Sequence, residues 1–137
     1  MTPPLPLTGI DHVVLLVGDM ERATAFYTDV IGCTVDNDLP HYGMRQLRAG
    51  AALIDLVDIG SDEGAWAKPE VAGGRNVDHI ALGLGPADPE AVRGHLAAHN
   101  IAIIEEGERT GALGDTLSFY LRDPDGNQIE LSFPPQA

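Results

Sequence analysis

Cysteine is nearly absent from this chain: Cys33 is the only one, so no internal disulfide can form, and a lone thiol fits a reducing compartment. Positive charge is also scarce. Lys and Arg together number 8 against 21 Asp and Glu, giving a formal net charge of -13 and a pI near 4.4. A surface of that sign repels phosphate backbones and anionic lipid, which argues against nucleic acid and membrane partners, and an anionic small molecule would need a local cation. No apolar run approaches the ~20 residues of a membrane span. The start Met1-Thr2-Pro3-Pro4-Leu5-Pro6-Leu7 lacks the charged and apolar segments of a secretory signal, so the expected location is the cytoplasm. What is present is 44% hydrophobic residues in a chain of 137, enough for one domain with a real core and too few for two ordinary ones.

The closing stretch has the clearest pattern. Thr116-Leu117-Ser118-Phe119-Tyr120-Leu121-Arg122 alternates polar and apolar before the turn Asp123-Pro124-Asp125-Gly126-Asn127, and Gln128-Ile129-Glu130-Leu131-Ser132-Phe133 does so after it. That is a half-buried hairpin. Ser118, Tyr120, Gln128 and Glu130 share one parity, and the apolar residues share the other. With the turn centred on Asp125, Tyr120 lies opposite Glu130, on a face that is either solvated or the floor of a polar site.

Upstream, Ile10 to Val17 is apolar on both faces and reads as a buried strand interrupted by His12. Asp19 caps a helix over Met20 to Val30, with Met20, Ala23, Phe26, Tyr27 and Val30 as its apolar stripe and Gly32 as its end. Strands follow at Thr34 to Leu39, Met44 to Arg48 and Ala51 to Ile59, the last two joined by a tight turn at Ala49-Gly50. Gly60 to Asn76, with Trp66, is polar and Gly-rich and reads as a linker or lid. Val77 to Gly85 begins another buried strand, Asp88-Pro89 opens a second helix through about Asn100, Ile101 to Glu105 reads as a strand, and Glu106 to Asp115 as a loop.

The two halves repeat. Ile10-Asp11-His12-Val13 returns as Val77-Asp78-His79-Ile80, an offset of 67 (79 - 12), and Ile54-Asp55-Leu56 returns as Ile129-Glu130-Leu131, an offset of 75 (130 - 55). The expected architecture is α+β: two tandem βαβββ modules forming a cupped mixed sheet, in a single domain 1-137 made of module 9-59, linker 60-76 and module 77-133. A period this long, present twice, indicates duplication and not a solenoid. The offset of 75 also places Arg45 at the position of Tyr120, opposite Asp55.

Polar groups recur within these apolar strands at His12, Asp55, His79 and Glu130. Each alone has an ordinary explanation, a hydrogen-bonded core histidine or a solvated carboxylate. Together they form a nitrogen and oxygen donor set for a divalent metal, because burying two imidazoles and two carboxylates without a cation is costly. Other candidates are weaker. His95 and His99 have i, i+4 spacing but no third ligand and read as a solvated helix edge, His41 sits in a turn, and Cys33 after the first helix reads as a packed thiol. Gly83 and Gly85 lack the third glycine of a dinucleotide loop, and no nucleophile elbow is present.

These residues carry a resemblance. With Asp11-His12-Val13, Phe26-Tyr27 followed by Ile31-Gly32, Asp78-His79-Ile80-Ala81, and Phe119-Tyr120 through Asp123-Pro124-Asp125-Gly126-Asn127-Gln128-Ile129-Glu130-Leu131, the chain resembles the vicinal oxygen chelate superfamily of glyoxalases, bleomycin-resistance proteins and extradiol dioxygenases. The resemblance spans Gly9 to Phe133 and implies a glyoxalase-like fold with His12, His79 and Glu130 as shared metal ligands and Asp55 in the fourth position. The metal would be Ni, Zn, Co, Mn or Fe. The implied function is a metal-dependent lyase or isomerase of glyoxalase I type acting on a small oxygen-chelating metabolite through an enediolate. Glu130 would be the base, with Asp55 as second choice, Tyr120 a hydrogen-bond donor, and Arg45 and Ser118 substrate-binding residues. The alternatives are an Fe(II) extradiol-type dioxygenase, for which Tyr120 ten residues before Glu130 matches but Gly111 stands near the expected acid-base histidine, and a non-catalytic drug or metabolite binder. Leu16 and Ile59 occupy the positions that glyoxalase I uses for glutathione. The overall match is to small glyoxalase-like proteins with an Arg109-Thr110-Gly111-Ala112 type loop, and the resemblance implies a homodimer.

Overall fold

The computed structural model describes residues 8-67 and 77-136, and the chain divides into two compact units, Met1–Lys68 and Pro69–Ala137. Each unit runs strand, helix and three strands, and each forms a four-stranded mixed sheet. No helix among the described residues is long and apolar enough to cross a membrane.

In the first unit, β1 (His12–Val17) leads to α1 (Met20–Ala25), which continues as a π-helical turn over Phe26–Ile31; β2 (Thr34–Leu39), β3 (Met44–Ala49) and β4 (Ala52–Asp58) follow. The sheet order is β1-β4-β3-β2, with β1 parallel to β4 and the other pairs antiparallel. A parallel pair needs a long crossover, which the helix and the β2-β3 hairpin supply. Asp19 accepts the Arg22 N–H at 2.8 Å as N-cap, Ala23, Phe26 and Tyr27 bury the apolar stripe, and Gly32 closes the helix at φ +97. Thr24 Oγ1 donates to Met20 O at 2.7 Å and Thr28 Oγ1 to Thr24 O at 2.9 Å. Hydroxyls bonding back onto the previous turn loosen the α ladder, and the helix widens there.

After β4 the chain turns back on β3. Gly43 lies at φ +60, and a Cβ on it would come within 2.5 Å of the Gly64 backbone nitrogen, so glycine is required on both counts. The Trp66 indole N–H donates to Tyr42 O at 2.8 Å from a 3-10 turn at Ala65–Ala67. The first part of the stretch read as a linker is therefore a folded return; residues 68-76 of it lie outside the described residues.

In the second unit, β5 (Ile80–Gly83), α2 (Pro89–Ala98), β6 (Glu105–Gly111), β7 (Gly114–Arg122) and β8 (Gln128–Ser132) give the order β5-β8-β7-β6, again with one parallel pair, β5-β8. Asp88 caps α2 by accepting the Glu90 N–H, and Pro89 occupies the first turn, where its missing N–H leaves no unmet donor. The closing turn is built on Asp123, whose Oδ1 accepts the N–H groups of Asp125 and Asn127 at 2.9 and 2.7 Å while Oδ2 accepts from the Asn127 side chain at 2.8 Å. Phe119, Leu121, Ile129, Leu131 and Phe133 form the apolar face, the two phenyl rings meeting edge to face at 4.9 Å.

Two expectations are corrected. Ile101 to Ile104 is not a strand, and the charged, glycine-containing segment read as a loop is β6, which pairs with β7 from Glu105↔Tyr120 to Gly111↔Gly114. It is the end strand of its sheet, where charges and glycine blunt an unpaired edge and imitate loop composition. The first strands of both units, read as buried on both faces, are end strands too, and Val14 and Val77 are exposed.

Candidate functional site

The polar face of the closing hairpin is buried. Tyr120 pairs with Glu130 across β7-β8, and Ser118, Tyr120 and Glu130 retain only 0%, 7% and 8% of their exposure. Buried polar groups must be partnered, and these partner one another. Ser118 Oγ donates to Glu130 Oε2 at 2.8 Å, and His79 Nε2 stands 3.1 Å from Glu130 Oε1. The other ring nitrogen, His79 Nδ1, is 2.7 Å from Asp78 Oδ2. The imidazole also meets the Tyr120 ring edge to face at 5.5 Å. Burial pushes the Tyr120 phenol above its usual range, and its hydrogen bond to Glu130 adds to this, so it remains a protonated donor at neutral pH.

The first unit repeats the plan. His12 Nδ1 is 2.7 Å from Asp11 Oδ2, and that bond, reinforced by the charge of Asp55 against some desolvation, raises the His12 pKa. In the parallel ladders Val14 is in register with Asp55 and Ala81 with Glu130. Each histidine lies two residues before the partner of its carboxylate, on the same sheet face, because side chains alternate with period 2. Asp55 is only 2% exposed. Its Oδ2 accepts from Gln46 Nε2 at 3.2 Å, and its Oδ1 has no hydrogen-bond partner among the described residues.

Arg45 does not face Asp55. The residue opposite Asp55 is Gln46, and Arg45 pairs with Leu56 on the other face. Ten residues run from Gln46 through Asp55, whereas eleven run from Tyr120 through Glu130 (130 - 120 + 1), and a slip of one residue turns a side chain to the opposite face. The Arg45 guanidinium is bonded to Asp38 Oδ1 at 2.8 Å and Thr24 Oγ1 at 3.0 Å, with Glu21 at 3.2 Å. It ties α1 to the β2-β3 hairpin. Ser118 was expected to touch substrate, but its hydroxyl hydrogen goes to Glu130. His95 and the C-cap His99 are exposed at the end of α2, their rings tilted by 59° with centroids 4.8 Å apart, His41 is exposed in a 3-10 turn, and Cys33 is buried, with burial pushing its thiol pKa up.

Sequence reasoning passed over Gln46, hidden by the one-residue slip, and gave no role to Asp11 and Asp78, although each precedes a histidine in both copies. A carboxylate on Nδ1 fixes the tautomer and leaves Nε2 as the ligating nitrogen, the arrangement usual around metal-binding histidines. The 3.1 Å separation of His79 Nε2 and Glu130 Oε1 fits the spacing of two neighbouring ligands, which with bonds of about 2.1 Å at a right angle is roughly 3.0 Å. The unpaired Asp55 oxygen fits the same role. Among the described residues no group of three or more His, Cys, Asp or Glu side chains is drawn together as a ready-made metal cluster.

Two βαβββ units, each holding an aspartate-braced histidine beside a carboxylate on its inner strand, define the glyoxalase-like α+β class. The chain belongs to the Glyoxalase/Bleomycin resistance protein/Dioxygenase superfamily, whose family model matches residues 9–131. Members include lyases and dioxygenases as well as resistance proteins that carry out no chemistry; they generally use divalent metal ions, bind small molecules and often form dimers. The chain is 33% identical to glyoxalase domain-containing protein RDO1 of Mycosarcoma maydis over 93% of its own length and 69% of the relative's. It is 31% identical to lactoylglutathione lyase of Salmonella typhimurium, covering 88% of each chain. The crystal structure of virulence protein STM3117 from Salmonella typhimurium superposes with a TM-score of 0.71 at 30% identity, covering 96% of this chain and all of that one (100%).

Proposed function

We propose that this chain is a divalent-metal-dependent lyase or isomerase that holds its ion with His12, Asp55, His79 and Glu130 and takes a small substrate through two adjacent oxygens. The observation that carries the reading is the twice-repeated unit of aspartate, histidine and buried carboxylate, with one oxygen of Asp55 left unpaired. When bound, the ion would supply Lewis-acid polarisation of the substrate oxygens. The protein groups do the rest. Asp11 and Asp78 hold the imidazoles so that Nε2 points away from them, Ser118 holds Glu130, and the Tyr120 phenol turns its one hydrogen from Glu130 to a substrate oxygen when substrate is bound. Glu130 Oε2 is held by Ser118, whereas neither a hydrogen bond among the described residues nor Arg45 occupies Asp55 Oδ1. The proton taken from the carbon beside the bound oxygens is therefore assigned to Asp55, which would give up ligation to accept it, ahead of Glu130.

The name of the Salmonella lyase relative supports the reaction class. A glutathione substrate is not carried over, since Leu16 and Ile59 offer no polar group where glutathione-binding members have one. A second reading, an Fe(II) dioxygenase, draws support from the two-histidine, one-carboxylate set His12, His79 and Glu130 with Tyr120 paired across the ladder from the carboxylate. Elemental analysis of the purified protein separates them. Stoichiometric Ni, Co, Zn or Mn favours the lyase, Fe with oxygen-sensitive activity favours the dioxygenase, and no metal with strong uptake of a small molecule favours a pure binder. His79→Ala is expected to lose the bound metal while keeping the wild-type circular dichroism spectrum; full metal content in that variant removes the proposed site. We also propose a homodimer acting in the cytoplasm, and a monomeric mass by light scattering rejects the dimer.

A further inference from the structure

The sheet face that carries Glu130 extends onto β6. By register, Glu105 stands beside Tyr120, Gly107 beside Ser118 and Arg109 beside Thr116, so these three β6 residues share the face of Tyr120 and Glu130. Across it the groups are polar: Thr116 and Ser132 hydroxyls lie 3.1 Å apart, and Ser118 serves Glu130. Arg122, at the far end, donates to Gly126 O in the hairpin loop at 3.2 Å.

Arg109 supplies a cation on this face. Its guanidinium lies back along β6 over Gly107, 5.6 Å from the centroid of the Tyr120 ring. Gly107 makes this possible. A Cβ there would sit 2.5 Å from the Arg109 terminal nitrogen Nη1, its three nearest neighbours all being atoms of that guanidinium, and no left-handed φ demands glycine at that position. The glycine supplies room for the guanidinium. One terminal nitrogen is braced by Glu108 O at 2.9 Å; the other is bonded at 3.0 Å to Glu105 Oε1. Glu105 is 61% exposed and the arginine side chain 36%, so this ion pair is weak and exchangeable. It shows a carboxylate reaching the guanidinium from the solvent side.

We propose that Arg109 anchors an anionic group, a carboxylate or its equivalent, on the substrate at the Tyr120-Glu130 face, with Glu105 occupying that position when no substrate is bound and Gly107 keeping the arginine in place. The substrate class is thereby narrowed to small molecules that carry two adjacent oxygen donors at one end and a negative charge at the other. The placement of the donor end rests on the metal-dependent reading above; the anionic end does not. A guanidinium matches a carboxylate with paired donors and an overall charge of -13 offers such a ligand little else to bind.

The test uses full-length protein loaded with Ni(II), with metal content measured, and two probes that differ only in charge: succinate monohydroxamate and its terminal amide. Calorimetry is expected to show the carboxylate bound about tenfold more tightly than the amide by wild type. Arg109→Gln should equalise the two without weakening the amide, Gly107→Ala should reduce the preference by displacing the guanidinium, and Glu105→Gln should increase it by removing the competing carboxylate. Thermal melts confirm that each variant is folded. Equal affinities in wild type, or a preference that survives Arg109→Gln, overturn the proposal while leaving the metal reading intact. Wild type that takes up no metal yet keeps an Arg109-dependent preference for the carboxylate upholds the anchor and rejects the metal reading.

Discussion

Asp55→Leu should make the metal-free protein more stable. Leucine matches aspartate in branching, two methyl carbons replacing two carboxylate oxygens. Asp55 is 2% exposed and its Oδ1 has no partner among the described residues, and a buried polar group left unsatisfied costs about 1–3 kcal/mol. The substitution sacrifices the hydrogen bond from Gln46, which at 3.2 Å is a long one and worth roughly 1 kcal/mol or less; Gln46 is half-buried and can turn to water. Added burial of two methyl groups offsets that loss, so the net expectation is a gain of about 1–3 kcal/mol, or roughly 3–8 °C in Tm for a chain of this size. With metal the order reverses. Ligand at about a thousand times its Kd adds about 4 kcal/mol to a protein that binds it, and only wild type benefits. Urea denaturation at neutral pH, with and without chelator, measures both differences. A metal-free variant less stable than wild type by 1 kcal/mol or more would show that the carboxylate is well satisfied without a cation, and the reasoning that ties its unpaired oxygen to function would fail.

Arg45→Met should lower stability by about 1 kcal/mol, discounted because Asp38 and Glu21 are largely exposed, and should leave metal content unchanged; a loss of metal would mean that Arg45 acts on Asp55 after all. Native protein treated with iodoacetamide at pH 8 should remain unlabelled at Cys33, whose buried thiol is held protonated, and should label fully in urea; rapid labelling of the native state refutes this. Arg93 beside Glu106 holds that carboxyl below its usual 4.5. Because the folded pKa is the depressed one, the pair's stabilisation is complete above that value and fades as pH falls through the folded pKa. Stability curves of wild type and Glu106→Gln should therefore differ at pH 7 and converge at acid pH, and a gap that widens on acidification contradicts the assignment.

The duplicated architecture was legible because it rests on local signals. Asp19 and Asp88 cap their helices as their positions suggest, Asp123 to Asn127 encodes its own turn through side-chain to backbone bonds, and the repeated aspartate-histidine dipeptide stands where the first strand of each unit begins. The failures lie where pairing matters more than composition. β6 is written in Glu, Gly, Arg and Thr because it is the end strand of its sheet among the described residues, and such a strand cannot be told from a loop without its neighbour. The placement of Arg45 came from an offset that holds for β4 and β8 but not for the strands before them. The bond from Ser118 to Glu130 has no signature in the alternation, because parity gives a face and not a partner. The unpaired oxygen of Asp55 is a fact of three-dimensional packing with no signature in the chain.

The turn between β3 and β4, Gly50-Ala51, and the longer Asp123–Asn127 turn set what stands across from each carboxylate. Inserting one residue after Gly50 while keeping a two-residue turn, so that Ala49 pairs with Ala51, would bring Arg45 opposite Asp55 and send Gln46 to the helix side, with none of the four proposed ligands altered. A guanidinium would then cap the oxygen that is now bare. Register at the turn thus acts in this fold as a phase control: the same strands, moved by one step, convert a carboxylate open to a cation into one already closed by the protein's own charge.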